Sequence, residues 1–154
     1  METDETQSKE IAHLLEHIAA HTFKLQTDEV ITAFEQAEET CLTLVSTEKL
    51  ILEVKRRVAE WKLKLLCDRN VSFGTVEKIH KEILGLGYSS LENEGNIELY
   101  FAQYCVRQNQ ADTARCILRQ LCSKLDEALK TNNLEVYLYF KEIAEQLLSK
   151  LNKP

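Results

Sequence analysis

The sequence has few of the residues that interrupt helices or form tight turns. It contains four glycines and one proline among 154 residues, and the proline, Pro154, is the last residue. A sheet protein of this length needs many tight turns, which draw heavily on glycine and proline. The deficit therefore favours an all-α fold.

Two further absences concern location and partners. No stretch approaches the roughly 18 consecutive apolar residues of a membrane-spanning helix, and the acidic start METDETQSKE lacks the cationic and apolar segments of a secretory leader. The formal net charge of −6 disfavours a broad surface for nucleic acid or anionic membranes. We therefore expect a cytoplasmic protein that binds a protein partner or itself, and neither nucleic acid nor membranes.

The cysteines show no pattern of a metal or disulfide framework. There are five of them, an odd number, and none forms a CxxC pair. Most lie among apolar residues within helical patterns, as reduced core thiols of a cytosolic protein do. They are Cys41, Cys67, Cys105, Cys116 and Cys122. No cofactor is predicted.

Apolar residues recur at helical spacing along seven segments of the chain. The length and a hydrophobic content of 44% suit one domain with one core. We predict an all-α fold in which six or seven antiparallel helices form a helical bundle or a short α-solenoid, as a single domain over 1–154. Residues 1–6 are expected to be disordered, and the glycine-bearing stretch 85–96 is expected to be an internal loop.

Polar residues at the edges of these segments predict where the helices begin. The first helix is predicted over 7–25, and the fifth is expected to break near Gly95. The predicted N-caps of later helices are Thr27 or Asp28, Ser46 or Thr47, Ser72, Ser89, and Asn132 or Asn133.

Residues 97–130, IELYFAQYCVRQNQADTARCILRQLCSKLDEALK, resemble one degenerate tetratricopeptide repeat, a helix–turn–helix unit of about 34 residues. Ala102 and Ala114 match the two small positions at which the helices of that family approach each other. Phe101 and Leu118 match large apolar positions of the family. The segment departs from the family pattern at three positions, Glu98, Cys105 and Asp126. The resemblance implies a scaffold that binds peptides or proteins, and it assigns no functional residues.

Three of the four histidines are spaced four residues apart: His13, His17 and His21. On a helix this spacing places the imidazoles in a row, with Glu10 beside them. These imidazole and carboxylate groups can hold Zn²⁺ or a similar ion. Alternatively, the row is a solvated face of the helix or makes a pH-sensitive contact. The row drifts from the polar face toward the apolar stripe, so only His21 is expected to be partly buried.

The motif Glu-x-x-His, which carboxylate-bridged di-iron bundles use in pairs, also occurs twice. It runs from Glu10 to His13 and from Glu77 to His80. Because His80 lies within an apolar stripe and His13 faces away from its own, the two motifs do not easily face one ion. We predict that His80 is a core residue. The chain has neither a nucleophile elbow nor a glycine-rich phosphate loop after a strand.

Three apolar residues lie off the main stripes of the C-terminal helices: Leu99, Val106 and Tyr139. If exposed, they would form a partner site or a dimer interface; if buried, they would indicate central helices. The leading interpretation is a non-enzymatic protein-interaction or regulatory helical module, with a homodimer as one form of it. The alternative is a metal-binding helical-bundle protein or enzyme that uses Glu10 and the histidine row. A third hypothesis is an apolar ligand held between helices.

Overall fold

The computed structural model describes residues 3–152, which form seven α-helices and one short 3-10 turn. No strand occurs among these residues, so the predicted all-α helical-bundle class is confirmed. The helices are α1 (Asp4–His21), α2 (Thr27–Leu44), α3 (Glu48–Asp68), α4 (Phe73–Leu86), α5 (Leu91–Arg107), α6 (Ala111–Leu129) and α7 (Glu135–Leu151). The 3-10 turn, Thr22–Lys24, follows α1 directly.

Helix α1 begins earlier than predicted because Thr3 caps it. The Thr3 side chain accepts a hydrogen bond from the backbone N–H of Thr6. Two acidic residues occupy the first turn, where the helix dipole favours negative charge. The expectation of disorder over 1–6 is therefore wrong for residues 3–6, and residues 1 and 2 lie outside the described residues.

Some of the other N-caps are polar residues, but several are not the residue that the sequence predicted. Thr47 caps α3 as predicted and accepts from the N–H of Leu50 at 3.3 Å. The caps that differ are Gln26 in place of Thr27 or Asp28, Ser90 in place of Ser89, and Leu134 in place of Asn132 or Asn133. Gln26 and Ser90 have extended backbones just before the first helical turn and cap with their side chains, whereas Leu134 is extended but has no capping side chain.

Helix α5 continues through Gly95, so the predicted break there is wrong. The loop expected over 85–96 is limited to residues 87–90. A Cβ atom built on Gly95 would lie 2.5 Å from Cδ2 and 2.8 Å from Cε2 of Phe140, which is closer than carbon atoms pack. This glycine therefore serves the packing of α5 against α7 and does not end a helix.

Three helix ends are completed by arginine side chains from elsewhere in the chain. Arg69 donates to the carbonyl oxygens of Thr22 at 2.7 Å and Leu25 at 2.8 Å. The two similar contacts are Arg56 to the Leu86 carbonyl at 3.1 Å and Arg115 to the Leu151 carbonyl at 3.0 Å. The last carbonyls of a helix lack partners within the helix, and a cation suits their partial negative charge. Among residues 3–152, Gly87 is the one glycine at positive φ, +80°, and it follows α4 directly.

The described chain divides into two compact units, and the first comprises the residues up to Arg69 together with Gly74–Gly87. In this unit α1 and α3 run parallel, because Ser8 donates to Glu53 at 2.7 Å near their starts and Arg69 reaches Thr22 near their ends. Helix α2 contacts both and runs antiparallel to them. Buried residues of these three helices form the core: Ile11, Leu15, Val30, Phe34, Ala37, Cys41, Leu50, Val54 and Val58, joined by Val45.

The second unit comprises Asn70–Phe73 together with the chain from Tyr88 onward. Its helices α5, α6 and α7 each contact the other two. Ala102 and Ala114, the small positions of the predicted repeat, are both fully buried. The α5–α6 hairpin has the helix–turn–helix order of that repeat, and the resemblance itself stays a prediction.

Candidate functional site

The structure brings together only two of the four predicted metal ligands. His13, His17 and His21 are all exposed on α1, so the expected partial burial of His21 is wrong. The rings of His17 and His21 lie 4.4 Å apart between centres. Glu10 is exposed as well and lines a separate pocket. Within residues 3–152, no group of three or more His, Cys, Asp or Glu side chains could hold a metal ion.

The second Glu-x-x-His motif does not form a metal site in the described residues. His80 is 7% exposed on α4, which confirms the prediction of a buried histidine. Glu77 lies toward solvent and pairs with Lys81, the two charged atoms being 3.7 Å apart. The di-iron arrangement therefore has no support from the side chains of α1 and α4.

The three predicted partner residues do not share one exposed surface. Leu99 is 6% exposed and belongs to the interior, whereas Val106 is half-buried. Tyr139 is 60% exposed on α7. Helix α5 is buried around most of its circumference, so residues off its main apolar stripe are covered too. Leu99 is accordingly not a partner-binding residue in this structure.

A pocket of about 300 Å³ lies between α1 and the end of α2. Its lining residues are Gln7, Glu10, Ile11, Leu14, Cys41, Leu44 and Val45. Ile11, Cys41 and Val45 form a buried floor. Leu14 and Leu44 stand at the rim with 38% and 68% of their surface exposed. The pocket is thus apolar at its base and at two sides of its mouth.

The chemistry of the pocket suits the binding of an apolar group next to a polar or cationic one. Burial raises the pKa of the Cys41 thiol, so this cysteine stays protonated and behaves as a small apolar group. Among the described lining residues, Glu10 is the only charged one, and Gln7 adds an amide beside it. An apolar group can enter the pocket while a cation or a hydrogen-bond donor next to it meets Glu10 and Gln7.

A polar cluster between α6 and α7 holds these two helices together. Lys141 Nζ lies 2.7 Å from Asp126 Oδ1 and 3.7 Å from Glu145 Oε1. The hydrogen bond and charge of Asp126 raise the pKa of Lys141. Burial, and then the charges of Glu145 and Asp126, raise the pKa of the Cys122 thiol, which disfavours the reactive thiolate. The cluster joins two helices and does not activate a nucleophile.

Sequence patterns did not indicate the pocket as a site. Leu14 and Leu44 belong to regular apolar stripes, which predict burial at both positions. The usable signal is at the end of α2, where the small residue Cys41 is followed one turn later by Leu44 and Val45. A large apolar residue in the last turn of a helix has fewer neighbours to cover it, and a small residue one turn earlier leaves space beneath.

In comparisons with known proteins, no protein-family model, no curated protein and no solved structure matches this chain.

Proposed function

We propose that this protein is a non-enzymatic protein-interaction module and that the pocket between α1 and α2 accepts an apolar side chain of a partner protein. The observation that carries the proposal is the exposure of Leu14 and Leu44 around an apolar floor. When a partner covers leucines that are exposed to water at the mouth of a concave surface, the removal of this apolar surface from water stabilises the complex.

The size of the pocket favours a protein side chain over a free small molecule. Pockets for small ligands range from about 300 to 1,000 Å³ and enclose most of the ligand. At about 300 Å³ this pocket is at the lower limit and is open at its rim. A single leucine, methionine or aromatic side chain fits such a site, and the rest of the partner then rests on the rim.

Charge indicates what stands next to that side chain in the partner. Glu10 is the charged residue of the lining, and the chain has a formal net charge of −6. A segment with a lysine or arginine close to its apolar anchor complements both the local and the overall charge. We therefore propose an amphipathic, cationic segment of another protein as the occupant.

The proposed place of action is the cytoplasm. All five cysteines are thiols, and three of them, Cys41, Cys67 and Cys105, are buried, as is usual for proteins of a reducing compartment. Among the described residues, no helix combines the length and the apolar character needed to cross a bilayer. The tetratricopeptide-like hairpin of α5 and α6 agrees with a role in protein binding.

Peptide selection from a random library tests this proposal. Random amphipathic peptides displayed on phage are selected against the immobilised protein, and the Kd of the enriched peptides is measured by fluorescence anisotropy. We expect enriched sequences with an apolar anchor beside Lys or Arg. Leu44→Lys should raise their Kd about tenfold or more, because it removes the rim leucine and adds a like charge.

Phe23→Lys is the matched control. Phe23 is 73% exposed in the same unit and does not line the pocket, so we expect its replacement to change the Kd less than about twofold. Equal losses in the two variants would place the binding elsewhere and contradict the proposal. Light scattering identifies the competing occupant: a twofold mass that Leu44→Lys returns to the monomer would mean that a second copy fills the pocket.

A further inference from the structure

The last turn of α1 holds two imidazole rings at a separation suited to one shared ion. The ring centres of the exposed His17 and His21 are 4.4 Å apart, and the ring planes are inclined by 46°. An ion bonded at about 2.1 Å to one nitrogen of each ring would place the ring centres roughly 4.5 to 5.5 Å apart. The existing arrangement therefore needs only a small side-chain adjustment to chelate an ion.

The backbone of the same helix fixes the donor atom of His21. Its Nδ1 lies 2.8 Å from the carbonyl oxygen of His17, so the Nδ1–H donates to that oxygen. In the neutral ring this leaves the Nε2 lone pair available for a metal. Metal-bound histidines characteristically donate their other ring N–H to a carbonyl or carboxylate, and His21 already makes this contact.

The surroundings of the pair are compatible with a cation. His21 is the last residue of α1, where the helix dipole favours positive charge. The nearby cationic side chains are engaged in other contacts. Arg69 binds the carbonyls of Thr22 and Leu25, and Lys24 Nζ lies 5.5 Å from the centre of the Phe23 ring.

We propose that His17 and His21 bind one divalent transition-metal ion of the Ni²⁺, Cu²⁺ and Zn²⁺ class, with water in the remaining coordination positions. Imidazole nitrogen favours these ions, whereas Mg²⁺ and Ca²⁺ favour oxygen ligands. The site shares no residue with the pocket between α1 and α2, so it stands apart from the proposed partner binding.

Calorimetric titration of the untagged protein with NiCl₂ and ZnCl₂ tests the site. All variants carry Cys116→Ser, because Cys116 is exposed and a thiol also binds these ions. We expect one ion per chain and a Kd that rises about tenfold or more in His17→Ala and in His21→Ala, because each variant lacks one of the two metal-binding imidazoles and even the loss of a group that only orients a ligand typically costs about 10–100-fold. His13→Ala is the matched control, one turn earlier on the same helix, and should change the Kd less than about twofold.

Three results would overturn the proposal. The first is the absence of saturable binding of either ion. The second is unchanged binding in both His17→Ala and His21→Ala. The third is an equal loss in His13→Ala, which would mean that the ion uses the whole histidine row. Circular dichroism checks that each variant keeps its helices. Because His17 and His21 are both exposed, if one variant fails to fold, the other still tests the site.

Discussion

Gly95 and Gly85 both lie inside helices, but only Gly95 has another side chain at close range. A Cβ at Gly95 would be 2.5 Å from Phe140, whereas one at Gly85 meets nothing within 4 Å. We expect Gly95→Ala to lower the free energy of unfolding by about 1–3 kcal/mol, because the clash outweighs the better helix propensity of alanine. Urea unfolding followed by circular dichroism measures the change.

Gly85→Ala serves as the control for helix propensity. Without a clash it should raise the stability by about 0.4–1 kcal/mol. Trimming the opposing ring in Gly95→Ala/Phe140→Leu should recover part of the loss caused by Gly95→Ala alone. Equal stabilisation by Gly95→Ala and Gly85→Ala would show that α5 and α7 do not approach as closely as described.

The five thiols differ in exposure and should differ in reactivity. Cys116 is exposed, Cys122 is half-buried, and the other three are buried. The raised pKa of Cys122 lowers its thiolate fraction at neutral pH, so its reaction rate should rise steeply only at alkaline pH. We expect iodoacetamide at pH 7.5 to modify Cys116 first, as measured by mass spectrometry of peptides.

Replacement of Cys116 by serine should abolish that first phase. Cys41 should be protected until the protein unfolds, because burial both shields it and raises its pKa. Modification of Cys41 at the rate of Cys116 would contradict a closed pocket floor.

At the scale of single elements, an arginine from another helix takes the place that a C-terminal glycine often has. Arg69 makes two hydrogen bonds to the end of the α1 segment, so Arg69→Met should lower the free energy of unfolding by about 1–3 kcal/mol. Lysine cannot span both carbonyls, and Arg69→Lys should recover less than half of that loss. Urea denaturation measures both variants.

The control for this prediction is Arg119→Met. Arg119 is exposed on α6, and its removal should change stability by less than about 0.5 kcal/mol. If Arg69→Met lowers the free energy of unfolding no more than Arg119→Met does, water hydrogen-bonds the Thr22 and Leu25 carbonyls as well as Arg69 does.

The elements were predictable from sequence to the extent that they depend on local patterns. Apolar spacing predicted seven helices because each buries at least one apolar stripe, and Thr47 was one of the two predicted caps of α3, Ser46 and Thr47. The unbroken α5 was not predicted, since the reason for Gly95 is Phe140, which is 45 residues away in the sequence. The burial of Leu99 was not predicted for a similar reason. Apolar spacing identifies one covered face of a helix, whereas α5 is covered on more than one face.

Of the two candidate sites, the histidine pair was predictable from local spacing and the pocket was not. The spacing of His17 and His21 indicated that their rings would be neighbours, because four residues make about one helical turn. The pocket depends on how α1 lies against the last turn of α2. That relation comes from tertiary packing, and no local pattern at Leu14 or Leu44 contains it.

At the scale of the whole molecule, the negative charge should govern how fast the proposed partner associates. With a net charge of −6, the protein attracts a cationic segment before contact, and salt screens this attraction over a length of about 10 Å at 0.1 M. We expect the association rate of a selected cationic peptide to fall as NaCl rises, with a much smaller change in the dissociation rate. Stopped-flow fluorescence separates the two rates.

A selected peptide of neutral charge provides the comparison. Its association rate should depend little on salt, because steering requires opposite charges. Similar salt dependence of the two peptides would argue against electrostatic recognition and leave only the apolar pocket to explain binding.

The arginine contact at the end of α1 also has a consequence for the order in which the chain is made. Arg69 follows Leu25 by 44 residues and Thr22 by 47 residues, so it is synthesised long after α1 and α2. A nascent chain that ends before Arg69 lacks the side chain that binds both carbonyls, and the Thr22 carbonyl then accepts only from the Leu25 N–H at 2.9 Å. Helix ends with few partners fray. We therefore expect the end of α1 to reach its final hydrogen bonding during translation only after Arg69, at the end of α3, has been made.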